Sequence, residues 1–318
     1  MRKNTPTILN ADQVAGLIGK LDLATELRGM FAELGQKQAI QPAQTVTLFP
    51  EDRGDFITYL GAQGQSGVFG AKLSPYLVTE GKPIITAWTL LLSMETGEPL
   101  LLCDSGQLTT ERTAGTTALA VDLLASPKAA SLAIIGSGSV AQAHYRHVMD
   151  LREWDTVRIY SPGLGSDTAR QNQWRDLCKD VVFVDSAEAA ATNADVVMLC
   201  TSCGRPVIAN SAIGPNTLVT SISTNVAQAH EVNPDWLSAA QVYCDYRATT
   251  PNVAGEMVLA AQDHGWNPDE IRGDLAELTN DLAPKPEKGK PSFFRSVGLG
   301  LEDIAAAQAV LRCLEGAN

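Results

Sequence analysis

Two glycines with one residue between them, in the stretch LAIIGSGSVAQAHYRHV over 132–148, are the first residues in this chain whose types and spacing suggest a chemistry. Gly136, Gly138 and Ala141 follow the apolar run 132–135 and precede a helical pattern, so the segment reads as strand, tight turn and helix. Such a turn presents free backbone N–H groups to an anion at a helix N-terminus. A small residue in the third position lets helix and strand pack closely. The expectation is a dinucleotide-binding turn with the pyrophosphate on Gly136, Gly138, Ser139 and Val140.

The next strand ends in Tyr160-Ser161-Pro162, where a free ribose 2′-hydroxyl usually meets Asp or Glu. Here Ser161 offers a donor, with Arg158 or Arg170 as a source of charge, so the pattern favours NADP over NAD. In the front half, Lys72 lies in a short apolar strand and Arg112 near the start of a long helical run. An inward cation is costly unless paired. The pattern alone leaves Lys72 open between an inward paired cation and an exposed edge lysine, and reads Arg112 as a solvated helix residue.

Other candidates carry less. Cys200 and Cys203 form a C-x-x-C, but it falls at a strand end rather than opening a helix and lacks a second ligand pair; the six cysteines read as free thiols and no metal is expected. His144 and His147 read as ordinary helix residues.

The elements that must position these residues follow an alternating rhythm. Apolar runs at 157–161, 181–184, 196–200, 218–223 and 242–245 read as strands, with helix-like segments at 169–179 and 186–193, which implies a parallel sheet. In the front half, runs at 84–87, 90–94 and 100–103 read as antiparallel strands and 108–124 as a long helix. The polar, proline-rich stretch 283–291 reads as a mobile surface loop, and 301–314 as a helix returning to the front domain.

The chain is 318 residues long, 45% hydrophobic, with formal net charge −12. That charge argues against a nucleic-acid partner and is compatible with a cationic substrate. The absence of a membrane-length apolar run or an apolar leader makes a cytoplasmic enzyme the expectation, with no membrane partner.

Several motifs together carry a resemblance: Lys72 in GAKL, TTERTA over 109–114, GSGSVA, Glu231 in HEVNPDWL, Gly255-Glu256-Met257, and SVGLGLEDIAAA from Ser296. Through them the chain resembles the ornithine cyclodeaminase and μ-crystallin family along essentially its whole length. Within it, GDFITYLGA, SPYLVT, TSISTNVAQAHEV and FFRSVGLGLEDIA are most similar to the bacterial L-arginine dehydrogenases.

The resemblance implies an α/β fold: a Rossmann-type doubly wound parallel sheet over 116–297, plus an α+β domain for substrate binding and dimerisation built from 1–115 with 298–318. It implies an amino acid or its imine between the domains, Lys72 and Arg112 on the carboxylate, and Gln44 and Thr58 in the same substrate-binding set. Thr86, Arg112, Thr113, Ser161, Thr201, Ser202, Ser221, Ile222, Ser223 and Ser296 join the glycine turn around the cofactor. It implies a homodimer through the front-domain sheet.

Two departures bear on the reaction. Gln44 stands where many members have arginine, and Asn225 where cyclodeaminases have aspartate. Asn225 remains a catalytic candidate with Lys72 and Arg112, able to hydrogen-bond an amine or water but not to act as a base. The expectation is NADP-preferring, reversible oxidative deamination of an L-amino acid, L-arginine giving 5-guanidino-2-oxopentanoate and ammonia. The alternatives are an ornithine cyclodeaminase, a cyclic ketimine reductase, an alanine-type dehydrogenase, or a non-catalytic NADP-holding binding protein, against which Lys72 and Arg112 both count. Asp52, Asp55 and Glu256 stay open as partners for a guanidinium tail.

Overall fold

A computed structural model describes residues 5–223 and 228–316. The chain divides into two compact units, Met1–Arg112 with Gly298–Asn318, and Thr113–Val297.

The first unit holds β1 (Thr7–Leu9), α1 (Ala11–Ala15), α2 (Leu23–Gly35), β2 (Ala39–Ile40), β3 (Thr45–Leu48), β4 (Gly54–Gln63), β5 (Val68–Leu77), β6 (Ile84–Ile85), β7 (Trp88–Ser93) and β8 (Pro99–Asp104). They form one sheet in the order β1-β8-β7-β5-β4-β2, with β3 also on β4 and β6 also on β5. Every pair is antiparallel except β1 with β8. The centre is the β4–β5 hairpin, each strand ten residues long. Sequence reading saw only a short strand around Lys72, because Gly61, Gly70 and Pro75 interrupt the apolar alternation and lower local strand preference.

Side chains alternate between the two faces of a strand. Gly61, Gly70 and Leu91 share the inner face with Val68 and Leu101, all buried. Leu60, Phe69, Leu73 and Trp88 belong to the other face and are 41%, 38%, 45% and 37% exposed. Ile8 and Ile40, further out on the same face, are more exposed still.

α3 (Gly106–Leu124) starts in the first unit and ends in the second. The second unit then runs β9 (Ser131–Ile135), α4 (Ser139–Val148), β10 (Thr156–Tyr160), α5 (Thr168–Leu177), β11 (Val181–Phe183), α6 (Ala187–Ala191), β12 (Val196–Leu199) and β13 (Leu218–Ser221). It continues with β14 (Gln241–Cys244), α7 (Gly255–Asp263), β15 (Gly273–Asp274), α8 (Leu275–Thr279) and β16 (Ser292–Arg295). The sheet order is β11-β10-β9-β12-β13-β16-β14-β15, parallel throughout. This is the doubly wound arrangement, with strand order reversing between β9 and β12, the position where such folds bind ligands.

Two details depart from the sequence reading. β16, unassigned from the sequence, inserts between β13 and β14 rather than at an edge. The loop at 283–291 is tied down: Tyr243 Oη donates to Pro284 O (2.9 Å), Gln241 Nε2 to Glu287 O (2.9 Å), and Gly289 N to Asn216 Oδ1 (2.8 Å). Proline-rich composition reports the absence of regular structure, not the absence of anchors.

The chain returns to the first unit as α9 (Gly300–Gly316), whose buried Ile304, Ala307 and Val310 pack with Val68, Leu91 and Leu101. The approach is close enough that a Cβ on Gly61 would lie 2.8 Å from the Leu301 Cα. No helix among the described residues is long and apolar enough to cross a membrane.

Candidate functional site

The first unit carries a buried charge cluster. Lys72 is 1% exposed, which removes the edge-lysine alternative, and its Nζ lies 2.8 Å from Asp303 Oδ2 and 4.2 Å from the Tyr59 ring centroid. Nζ also donates to Thr109 Oγ1 at 3.4 Å. Arg112 is buried as well: its Nε donates to Asp303 Oδ1 at 2.9 Å and its Nη1 to Glu302 Oε2 at 2.8 Å. Asp303 therefore bridges both cations. The sequence reading of Arg112 as a solvated helix residue is corrected, since its helix face turns inward against α9.

Register explains the convergence. Lys72 pairs with Tyr59 across β4 and with Thr89 across β7, so it projects from the inner face that α9 covers. Glu302 and Asp303 occupy the first turn of α9, where the helix dipole favours negative charge. Neither had been singled out, although an acidic pair opening an otherwise apolar, alanine-rich helix is a signal that such charges are buried and paired.

The local electrostatics follow from burial. Desolvation pushes Lys72 down from the ordinary lysine range to about 8, with the Asp303 charge opposing and the Arg112 charge reinforcing. For Arg112 burial works against the charge, but Asp303 and Glu302 outweigh it and hold the guanidinium more firmly protonated. The cluster sets two cationic side chains against two carboxylates. It can offer hydrogen-bond donors to a carboxylate without presenting bare charge.

The other substrate candidates lie elsewhere in this unit. Thr58 pairs with Leu73 and Thr45, which puts it on the strand face opposite Lys72. Gln44 is half-buried just ahead of β3. Gln41 had not been singled out, yet its Oε1 accepts from Leu301 N at 2.8 Å, at the start of α9. Thr86 is exposed between β6 and β7.

The second unit carries the glycine turn. Gly136 has φ +123°, and a Cβ there would lie 2.3 Å from Cys200 O, so only glycine fits. Ser139 and Val140 open α4, whose N-cap Gly138 provides no side-chain cap. The first-turn N–H groups are thus left to an anion, and the turn fits a pyrophosphate. Arg170 Nη1 donates to Ser137 O at 3.0 Å, inside this turn, and Trp174 Nε1 reaches the same carbonyl at 3.1 Å. Arg158 is excluded: it bonds Ser131 Oγ and Ala189 O, at the opposite end of β9. Ser161 directly follows β10, half-buried, and Thr113 lies half-buried in α3.

The serine and threonine candidates are organised by carboxylates. Glu231, fully buried, accepts from Thr201 N (2.9 Å), Thr201 Oγ1 (2.6 Å), Ser221 Oγ (2.7 Å) and Ser223 N (2.9 Å). It knits the ends of β12 and β13 together. Asp245 accepts from Ser296 Oγ (3.0 Å) and Val297 N (2.7 Å), fixing the end of β16 beside β14. Ser202 is exposed, Ile222 is half-buried, and the Ser223 hydroxyl is buried with no hydrogen-bond partner among the described residues. Asn225 lies outside the described residues.

The remaining candidates resolve into structure. Glu256 is fully buried against Arg295 (2.8 Å), and burial raises its pKa despite that partner. His144 bonds Val140 O and Thr117 Oγ1 at 2.8 and 3.0 Å, joining α4 to α3. Burial pushes the Cys200 thiol well above its usual range. Among the described residues no three His, Cys, Asp or Glu side chains form a metal-binding group.

The family model for the ornithine cyclodeaminase/mu-crystallin family matches residues 5–317. The NAD(P)H-dependent anabolic L-arginine dehydrogenase DauB of Pseudomonas aeruginosa is 52% identical over 312 residues, 98% of each chain. The Thermococcus litoralis Delta(1)-pyrroline-2-carboxylate reductase, solved with NADH and L-proline, superimposes with TM-score 0.89 at 22% identity, covering 98% of each chain. An archaeal alanine dehydrogenase dimer with bound NAD gives TM-score 0.88 at 21% identity, covering 98% of this chain and 97% of that one. These two likenesses show the fold.

The Asp303 bridge generates a prediction about pH. Removing its charge deletes the largest influence that keeps Lys72 protonated, so in Asp303→Asn the Lys72 ionisation moves to lower pH by roughly one unit. The readout is the pH profile of kcat/KM. The limb that disappears in Lys72→Met is expected to shift acidward in Asp303→Asn, and an unmoved limb refutes the bridge as its cause.

Proposed function

The chain belongs to the ornithine cyclodeaminase/mu-crystallin family, and from that premise we propose that it oxidatively deaminates L-arginine, reversibly, to 5-guanidino-2-oxopentanoate and ammonia, with NADP as the preferred cofactor. The observation that carries the arginine reading is the 52% identity, over nearly all of both chains, to an NAD(P)H-dependent L-arginine dehydrogenase.

Lys72 and Arg112 hold the α-carboxylate, which joins donors already arranged by Asp303 and Glu302. Orientation of this kind supplies a large share of the rate in a reaction between two bound molecules. The nicotinamide, when bound, supplies the hydride acceptor for the substrate α-carbon. Loss of that hydride leaves an α-imino acid, water adds to the imine carbon, and ammonia departs to leave the oxo acid. Lys72, whose ionisation burial lowers to about 8, is the group suited to pass protons during water addition and ammonia loss. Gly136, Gly138, Ser139 and Val140 hold the pyrophosphate; Thr201, Ser221, Ser223 and Ser296 line the strand ends that Glu231 and Asp245 keep in register.

Arginine's guanidinium, with a pKa above about 12, stays protonated and cannot close a ring on the imine. With Asn225 where cyclodeaminases have aspartate, the base that would deprotonate ornithine's distal amine from that loop is missing. The purified protein with L-arginine and NADP is expected to release ammonia and the guanidino oxo acid, and to form little proline from L-ornithine. Proline from ornithine at a rate rivalling oxo-acid formation from arginine would sink the assignment.

The lean to NADP is supported by Ser161, in place of an acid, and by Arg170, held on the glycine turn. Arg170→Ala is expected to lower the NADP-to-NAD ratio of kcat/KM about ten-fold or more, with the same trend in cofactor dissociation constants measured by fluorescence. An unchanged ratio would move the 2′-phosphate contact elsewhere.

The exposed apolar face of the first unit's sheet, with Leu60, Phe69, Leu73 and Trp88 at its centre, supports a homodimer through that face. Light scattering is expected to give twice the chain mass for the wild type and a single chain mass for Phe69→Glu/Leu73→Glu; a double mutant that stays dimeric assigns the interface to another surface.

A further inference from the structure

Three carboxylates were open as partners for a guanidinium tail, and the structure separates them. Glu256 is buried against Arg295 in the second unit. Asp52 sits exposed in a turn before β4 with φ +53°. Asp55 differs from both. It is half-buried on β4, and register puts it on the same face as Lys72: Tyr59 pairs with Lys72, and Ile57 and Asp55 follow at two-residue steps. Asp55 makes no ion pair and no side-chain hydrogen bond among the described residues.

Its surroundings suit a flat cation on an aliphatic stem. Asp55 pairs directly with Tyr76 on one side and with Leu48 on the other, while Ile57 pairs with Val46. Tyr76 is 40% exposed, and Leu48 and Val46 are more exposed still. α9 begins beside Tyr59 and Leu60, so its packing stops where this strip starts. The face therefore runs from two cations, past Ile57 and Val46, to a lone carboxylate beside an aromatic ring. Four residues along a strand span roughly 13 Å. An extended arginine bridges most of that, and the Asp55, Lys72 and Arg112 side chains take up the remainder.

We propose that Asp55, with Tyr76 beside it, binds the guanidinium group of the substrate and sets the preference for arginine over neutral amino acids of the same length. The proposal rests on the arginine reading above. A carboxylate receives a guanidinium through two parallel N–H donors, and an aromatic ring stacks on its plane; an ammonium offers neither geometry, so the same pair favours arginine over ornithine and lysine.

The test compares L-arginine with L-citrulline, its neutral isostere, in the NADP-dependent oxidation and in calorimetric titrations of the NADPH-loaded protein. Asp55→Asn is expected to lower kcat/KM for arginine roughly 10- to 100-fold, the loss of one charge-assisted hydrogen-bonded contact, while the value for citrulline stays within about two-fold. Tyr76→Leu is expected to reduce the same ratio by a smaller factor, and Asp52→Asn to leave it unchanged. Calorimetry is expected to show weakened arginine binding in Asp55→Asn at an unaltered melting temperature. Equal losses for both substrates, or an unchanged ratio, overturn the assignment of Asp55. A wild type that oxidises other amino acids and neither of these overturns the arginine reading itself, a distinct outcome.

Discussion

Two cations and two carboxylates buried together impose the constraint around which the first unit is organised. Lys72 and Arg112 would each be prohibitively expensive in the interior alone, and Asp303 and Glu302 equally so. Their mutual contacts at 2.8–2.9 Å offset that desolvation. A buried pair of this sort is weak as a source of stability, yet breaking it is strongly destabilising, because the orphaned partner stays buried. The consequence is topological. The acids belong to α9, nearly two hundred residues beyond Arg112, so the chain must leave the first unit, build the second, and return. Gly61 permits that return by letting the start of α9 lie against β4 with no side chain between.

Carboxylates of a different kind organise the second unit. Glu231 and Asp245 act as acceptors for backbone N–H and hydroxyl groups at the carboxyl ends of parallel strands, where connecting loops would otherwise carry unsatisfied donors. Such a carboxylate works as a knot: one buried side chain fixes two strand ends. The hydroxyls of Thr201, Ser221 and Ser296 thereby serve shape first. Ser223 is the exception: its hydroxyl is buried and unpaired among the described residues, and its backbone has φ +49°.

The second unit was largely legible in the sequence because parallel strands buried on both faces read as continuous apolar runs; β9, β10, β12 and β13 lie within a residue or two of expectation. The Gly136 turn was legible because only glycine satisfies its backbone. β4 and β5 were not, since a strand with one face against a helix and the other bare shows no simple polar alternation, and glycines needed for the α9 approach break the pattern. Arg112 was misread for a related reason: a helical period reveals which residues share a face, and burial of a charge depends on partners far along the chain. β16 escaped because its four residues, SFFR, are too few to show a period.

The face assignment also makes register a functional property. Along β5, Lys72 points inward and Leu73 outward; along β4, Tyr59 and Asp55 share one face while Thr58 and Leu60 share the other. A slip of one residue would carry Lys72 to the bare apolar face and bring Leu73 against the Asp303 carboxylate, exchanging every role at once. The β4–β5 hairpin resists that slip because ten consecutive pairs must move together and because α9 accepts only a glycine where Gly61 stands. The same close contact that lets the last helix return thus holds the strand in the register that buries Lys72 beside its acid.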